Sequence, residues 1–131
     1  MRRVMGIGGI FFKARNSAAL YAWYEKHLGI AREPHGEGAA FRWRDCDTGD
    51  EGMTVWSLFP SDTRYFDPSR SPFMINYRVQ NLDELLSALR AEGVDVDPRR
   101  EDYDYGRFAW IMDPEGNRIE LWEPSESRQT T

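Results

Sequence analysis

The chain has 131 residues, a length that fits one domain with a single core. It contains one Cys and two His, which excludes a disulfide within the chain, a cysteine-rich zinc site and a three-histidine metal site. The net charge of −5 and the scattered basic residues do not favour a nucleic-acid partner, and no apolar run reaches the roughly 20 residues that cross a bilayer. No signal-type apolar segment follows the N-terminus, so we expect a cytoplasmic protein with no membrane partner.

The first half of the chain predicts a strand, a helix and two further strands. Residues 7–13 are apolar and bounded by charge, as a strand is, and Asn16 or Ser17 can cap the helix that follows. Gly29 is the predicted end of this helix. The predicted apolar face of the helix consists of Leu20, Trp23, Tyr24 and Leu28. Two further strands are predicted at residues 41–44 and 54–59.

The second half of the chain repeats this order. A predicted strand at residues 73–79 precedes a helix that Asn81 and Glu84 can cap reciprocally. Gly93 is expected to end this helix, whose apolar face consists of Leu82, Leu85, Leu86 and Leu89. Two more strands are predicted at residues 107–112 and 118–122.

The repeat predicts a single domain, residues 1–131, built from two modules. The first module covers about residues 4–60 and the second about residues 73–124. Residues 61–72 are polar and turn-rich, which indicates a surface linker, and residues 125–131 form the predicted frayed tail.

The sequence Asp-Pro-Glu-Gly-Asn at residues 113–117 predicts a hairpin turn. A turn symmetric about Glu115 places Trp110 opposite Glu120. One face of the hairpin then carries Phe108, Trp110, Met112, Arg118, Glu120 and Trp122, and the other Ala109, Ile111, Ile119 and Leu121. The aliphatic face is typical of packing against a helix. The aromatic and charged face suits a concave ligand site, or alternatively a core or a dimer interface.

The strand at residues 73–79 has the same alternation. Its apolar face consists of Phe73, Ile75, Tyr77 and Val79, and its other face of Met74, Asn76 and Arg78. Asn76 and Arg78 would be costly to bury against a helix but could bind a ligand in a solvated cleft. Alternatively, Arg78 pairs with a carboxylate at the surface.

Two motifs resemble those of the vicinal oxygen chelate superfamily, which comprises glyoxalase I, bleomycin-resistance proteins and extradiol dioxygenases. The motifs are Tyr-Ala-Trp-Tyr-Glu-Lys-His-Leu-Gly at residues 21–29 and Asp-Pro-Glu-Gly-Asn-Arg-Ile-Glu-Leu at residues 113–121. The likeness extends from about Gly6 to Pro124. It implies an α+β fold of two βαβββ modules, whose curved mixed sheets enclose a cleft and carry the helices on their outer faces. It also implies a homodimer.

The metal-dependent members of this superfamily have four ligand positions, which correspond here to Gly9, Trp56, Met74 and Glu120. Among these, Glu120 alone suits a divalent metal. A shift by one residue would offer Val55 or Ser57 instead of Trp56, which adds no divalent-metal ligand of the family's kind. We therefore expect no cofactor, with a divalent metal as the alternative.

Three other features have a simpler interpretation than a metal or catalytic site. His27 lies near the end of the first predicted helix, where it interacts with the helix dipole, and His35 is expected to be solvated in a glycine-rich loop. The acidic run at residues 101–105 lacks the spacing of a calcium loop and predicts a solvated loop near the mouth of the cleft.

Three hypotheses for function follow. The first is a metal-free protein that binds a small polar or aromatic ligand through Phe11, Lys13, Trp56, Met74, Asn76, Arg78, Trp110, Arg118 and Trp122. The second is a glyoxalase-like lyase, isomerase or dioxygenase in which Glu120 is the general base or a metal ligand. The third is a dimeric interaction module that has no small ligand.

Overall fold

The computed structural model describes residues 2–34 and 38–125, so that His35 and the predicted tail beyond Ser125 lie outside the described residues. The elements in chain order are β1 (Val4–Ala14), α1 (Ser17–Leu28), β2 (Gly38–Arg44), β3 (Glu51–Pro60), β4 (Phe73–Val79), α2 (Leu82–Ala91), β5 (Asp95–Tyr103), β6 (Gly106–Met112) and β7 (Arg118–Pro124).

The strands form one seven-stranded mixed sheet in the order β2-β3-β1-β4-β7-β6-β5. Strand β1 pairs in parallel with β3, β4 pairs in parallel with β7, and the antiparallel pair β1 and β4 joins the two halves. The second half has the order βαβββ, whereas the described residues of the first half have the order βαββ. The predicted α+β class with a repeated strand–helix–strand order is confirmed.

Capping side chains set the helix ends as predicted. Oδ1 of Asn16 accepts a hydrogen bond from the backbone N–H of Ala19 at 3.0 Å, and Gly29 ends α1 in the left-handed conformation with φ of 72°. Oδ1 of Asn81 accepts from the N–H of Glu84 at 3.2 Å, while Nδ2 of Asn81 donates to the Glu84 carboxylate at 3.1 Å.

Both helices cover one face of the sheet. Leucines of α2 pack against Val79, Ala109 and Leu121, which confirms the aliphatic face of the predicted hairpin. The predicted face of α1 is partly wrong, because Trp23 is 51% exposed and Leu28 is 62% exposed. Tyr21 is buried instead, since its hydroxyl accepts a hydrogen bond from the backbone N–H of Leu58 at 2.8 Å.

The connection at residues 61–72, predicted as a surface linker, is mostly exposed but contains two buried residues, Phe66 and Ser69. Phe66 is fully buried and forms a cluster with Met74 and Trp110 on the face opposite the helices. Tyr65 and Phe59 pack against this cluster. The connection therefore fills one end of the concave side of the sheet.

The acidic run at residues 101–105 is also more ordered than predicted. Residues 101–103 belong to β5 and pair with β6, with Glu101 opposite Phe108. Strand β5 lies at the edge of the sheet, where charged side chains discourage pairing with another chain. Neither helix in the described parts of the chain has the length and apolar character needed to cross a bilayer.

Candidate functional site

A cleft of about 1230 Å³ lies on the face of the sheet opposite the helices. Its apolar lining includes Phe11, Trp43, Val55, Phe108 and Trp122. Asn76, Arg78 and Glu120 add polar groups to this lining. The lining also contains further charged side chains, among them Arg42, Asp50 and Glu51. A concave surface that combines aromatic rings with polar groups can hold a small molecule.

Glu120 is the buried acid of the cleft floor, with 2% of its surface exposed. It faces Trp110 across the β6–β7 hairpin, as the symmetric turn predicts. Nε1 of Trp110 donates a hydrogen bond to Glu120 at 3.0 Å, Nδ2 of Asn76 donates at 2.7 Å, and the Tyr65 hydroxyl donates a third. The carboxylate is thus held by donors from β6, β4 and the connection at residues 61–72.

Burial raises the pKa of the Glu120 carboxyl above its usual value. Hydrogen bonds from Tyr65, Asn76 and Trp110 oppose this shift, and so does the charge of Arg118. Burial and the nearby Glu120 also raise the pKa of Tyr65, which keeps its hydroxyl protonated as a donor. The net effect is a raised pKa, so the Glu120 carboxyl stays protonated up to a higher pH than an exposed carboxyl does.

The residues around Glu120 do not fit the metal site of the vicinal oxygen chelate superfamily. In the sheet, Glu120 pairs with Asn76, Asn76 with Gly9, and Gly9 with Val55. The described residues contain no group of three or more His, Cys, Asp and Glu that could hold a metal ion. The oxygens of Glu120 already accept hydrogen bonds from three donors, which leaves one of the roughly four lone-pair sites of the carboxylate for a metal.

Trp43 forms one wall of the cleft by lying against two glycines. A Cβ atom at Gly6 or at Gly52 would overlap the Trp43 ring. Nε1 of Trp43 donates a hydrogen bond to Oγ1 of Thr54 at 2.9 Å, which fixes the orientation of the indole. Glycine in β1 and β3 therefore allows a large aromatic ring to lie close to the backbone.

We expect Gly52→Ala to lower the free energy of unfolding by about 1–3 kcal/mol, because the added methyl group displaces the Trp43 indole. In a Trp43→Ala background the same change should cost little, since the overlapping ring is absent. Urea unfolding of the two single variants and the double variant measures this coupling. Equal costs of Gly52→Ala in both backgrounds would contradict the packing of the indole on Gly52.

Arg78 is half-buried in the cleft. Its guanidinium carbon lies 5.6 Å from the ring centroid of Trp43 and 5.1 Å from that of Trp122. Phe108 stacks on Trp122 with a centroid distance of 5.8 Å and an interplanar angle of 5°. Burial lowers the pKa of Arg78. The side chain is thus a cation held against two indoles.

The structure brings together five of the predicted site residues. They line one cleft and are Phe11, Asn76, Arg78, Glu120 and Trp122. They come from β1, β4 and β7, the central strands where the two modules meet.

Trp56 does not belong to the cleft, and its predicted place there is wrong. Its ring packs against Tyr21 and Tyr24 of α1, on the opposite face of the sheet. Val55 pairs with Gly9 and lines the cleft instead. The face of β3 is therefore shifted by one residue from the prediction.

Met74 and Trp110 lie beneath the cleft and are both fully buried. They offer no surface for a ligand to stack on, because the cluster around Phe66 covers them. Trp110 instead acts on the site through its hydrogen bond to Glu120.

Arg118 and Lys13 were predicted to bind a ligand, but neither lines the cleft. Arg118 forms an ion pair with Asp97 at 3.0 Å and has only 5% of its side chain exposed. The Lys13 ammonium lies 5.6 Å from the ring centroid of Phe66, next to the cluster and outside the cleft lining. His27 packs against Trp23 on α1, with ring centroids 4.9 Å apart.

Sequence reasoning missed Trp43 and Tyr65. Trp43 lines the cleft, and Tyr65 donates to Glu120. Tyr105, in the run predicted near the mouth of the cleft, also belongs to the lining. The glycines at positions 6 and 52 were the available signal for Trp43, since glycine in a strand often marks a close approach of another group. No local signal in residues 61–72 distinguishes Tyr65 from an exposed turn residue.

Comparison with solved structures shows what this fold is similar to. Methylmalonyl-CoA epimerase from Mycobacterium tuberculosis has 18% identity and a TM-score of 0.59, covering 100% of this chain and 95% of that one. A methylmalonyl-CoA epimerase variant from Streptomyces coelicolor, in complex with 2-nitronate-propionyl-CoA, has 17% identity and a TM-score of 0.65, covering 94% and 96%. NAD-dependent benzaldehyde dehydrogenase from Legionella pneumophila has 14% identity and a TM-score of 0.57, covering 89% and 98%.

At these identities the structural likenesses show the fold alone. Comparison with curated proteins gives no match. The family model described as Glyoxalase/Bleomycin resistance protein/Dioxygenase superfamily matches residues 7–121, which is most of the chain and includes both motifs and the cleft-lining strands. The chain therefore belongs to the Glyoxalase/Bleomycin resistance protein/Dioxygenase superfamily.

Proposed function

We propose that this protein binds a small polar or aromatic ligand in the cleft without a metal ion. The observation that carries the proposal is the lining of the cleft, in which Trp43, Phe108 and Trp122 lie together with polar and charged side chains in about 1230 Å³. That volume is above the roughly 300–1,000 Å³ of most small-molecule sites. The three hydrogen bonds to Glu120 support a cleft that works without the superfamily's metal.

Tryptophan fluorescence tests this proposal, because a ligand in the cleft contacts two indoles. We expect a panel of aromatic and polar metabolites to include compounds that quench the fluorescence of the protein in a saturable way. Trp43→Phe and Trp122→Phe should each remove part of the quenching. Trp23→Phe is the matched control, since Trp23 lies exposed on α1. A flat response across the panel, together with no co-purified compound in native mass spectrometry, would contradict the proposal.

A second candidate function is proton transfer at Glu120. The raised pKa of its carboxyl favours this, because a general base or acid works best with a pKa near the working pH. The fold is similar to that of methylmalonyl-CoA epimerases, and an epimerase inverts a stereocentre, a reaction that suits a carboxylate that removes a proton.

Exchange of deuterium from D₂O into carbonyl compounds tests the second candidate. NMR would detect label next to the carbonyl group in a panel of carboxylic acids and thioesters. Exchange that Glu120→Gln abolishes would support a base at this position. Exchange that persists in the variant would exclude Glu120 as the base.

We also propose that the protein is a homodimer. On the face of the sheet that carries the helices, β1 presents an apolar stripe between α1 and α2. The stripe consists of Val4, Ile7 and Ile10, which are 37–41% exposed. Two bulges in β1 keep these three side chains on one face. A second copy that covers this stripe would remove it from water.

Ile10→Lys should shift the protein from dimer to monomer, because a twofold interface would bring the new charges near each other. Leu28→Lys adds the same charge at an exposed apolar position on α1 and should leave the dimer intact. Light scattering coupled to gel filtration measures the mass. A wild-type protein that is monomeric at micromolar concentration would contradict the proposed dimer.

A further inference from the structure

Arg78 is a guanidinium in the cleft without an acidic partner. Within residues 2–34 and 38–125 it makes no ion pair, and its described interactions are those with Trp43 and Trp122. Two acidic residues of the cleft lining pair with other arginines. Glu51 pairs with Arg44 at 2.8 Å, and Asp45 pairs with Arg2.

An uncompensated charge in a half-buried position is unfavourable, and burial accordingly lowers the pKa of Arg78. The two indoles contact the guanidinium but offer no hydrogen-bond acceptor, so its N–H groups remain available for another acceptor. Glu120 does not fill this role, because it accepts hydrogen bonds from Tyr65, Asn76 and Trp110 and makes no ion pair with Arg78. The N–H groups of Arg78 are therefore suited to bind an anion.

The surroundings of Arg78 also define the rest of a matching ligand. Trp122 stacks on Phe108 with a centroid distance of 5.8 Å, which restricts the orientation of its indole. Trp43 is fixed by its hydrogen bond to Thr54. Rigid indoles next to a guanidinium provide flat apolar surface at low entropic cost, together with two or more hydrogen-bond donors.

We propose that the ligand of the cleft is an organic anion with a flat aromatic part, whose carboxylate, sulfonate or phosphate group binds Arg78 while its ring packs on the indoles of Trp43 and Trp122. This inference rests on the proposed ligand-binding function and names the ligand class. A planar fork of donors can hold two oxygens of such an anion at once.

Two fluorescent probes with the same ring system test the inference. Anilinonaphthalene sulfonate carries the anionic group, and N-phenyl-naphthylamine is its neutral counterpart. We expect the wild-type protein to bind the sulfonate about 10- to 100-fold more tightly, as a charge-assisted pair of hydrogen bonds allows. Fluorescence titration of the full chain measures both dissociation constants.

Arg78→Met keeps the apolar stem and removes the charge. It should abolish the preference for the sulfonate and leave the affinity for the neutral probe within about twofold. The matched control is Arg90→Met, which removes an exposed guanidinium on α2 and should keep the wild-type preference. Near-ultraviolet circular dichroism checks that both variants are folded. If Arg78→Met does not fold, the relative affinity of the wild-type protein for the two probes still tests the inference, because equal affinities would overturn it.

The outcomes separate this inference from the function on which it rests. Equal binding of both probes by the wild-type protein, or a preference that Arg78→Met retains, would overturn the anion and leave the ligand-binding cleft in place. Failure of both probes to bind below about 1 mM would overturn the ligand-binding function and the anion together.

Discussion

Replacing Phe66 by Ala is expected to lower the free energy of unfolding by about 3–5 kcal/mol. Phe66 is fully buried and packs with Met74 and Trp110 beneath the cleft. Removing its ring costs the transfer free energy of the ring and leaves a cavity that its neighbours fill only in part. Urea unfolding followed by tryptophan fluorescence measures the loss.

Phe41→Ala is the matched control, because Phe41 is 46% exposed on β2. This substitution should cost about 1 kcal/mol or less. The comparison tests whether the connection at residues 61–72 packs into the concave side of the sheet. A cost for Phe66→Ala no larger than that for Phe41→Ala would show that the connection lies on the surface in solution.

The stability of the wild-type protein relative to Glu120→Gln is expected to fall as the pH rises. The unfolded chain releases the Glu120 proton near the ordinary value of 4.5, whereas burial raises the pKa in the folded protein. Between these two pKa values the folded state holds one more proton than the unfolded state. Each pH unit in this window should therefore cost about 1.4 kcal/mol, and the difference should level off above the folded pKa.

Urea unfolding of both proteins at a series of pH values from 4 upward gives this difference. Other titrating groups occur in both proteins, so their contributions largely cancel. Tyr65→Phe, made in the wild-type background, removes a donor that lowers the Glu120 pKa and should extend the window to higher pH. A difference between wild type and Glu120→Gln that does not vary with pH would mean that the Glu120 carboxyl titrates as an exposed one does.

The register of the last hairpin and the ends of the helices could be predicted because local interactions determine them. The turn at residues 113–117 sets Trp110 opposite Glu120, and Asn16 and Asn81 cap the helix that each precedes. These features depend on residues within a few positions of one another.

The face of β3 could not be predicted because both of its faces are apolar. Trp56 and Leu58 point toward α1, while Val55 and Phe59 lie on the other side. Alternation alone does not decide between two apolar sets, and the choice depends on the long-range pairing with β1. The prediction for Trp56 followed the resemblance, and the register of the sheet overturns it.

The hydrogen bond from Tyr65 to Glu120 joins residues 55 positions apart in the chain. Its segment has a polar composition, so burial of Tyr65 and Phe66 follows only from the shape of the assembled sheet. The surroundings of Arg78 could not be predicted for the same reason. Whether a carboxylate or two indoles surround this guanidinium depends on where β2 and β7 lie relative to β4.

One end of the concave surface is closed by a part of the chain that belongs to no strand. Tyr65 and Phe66 close one end of the concave surface, yet they lie in the connection between β3 and β4. The pairing of the strands in the sheet can therefore stay the same while this connection changes in length or in side-chain size. A shorter or less aromatic connection would uncover Met74 and Trp110 and extend the concave surface beyond the present cleft.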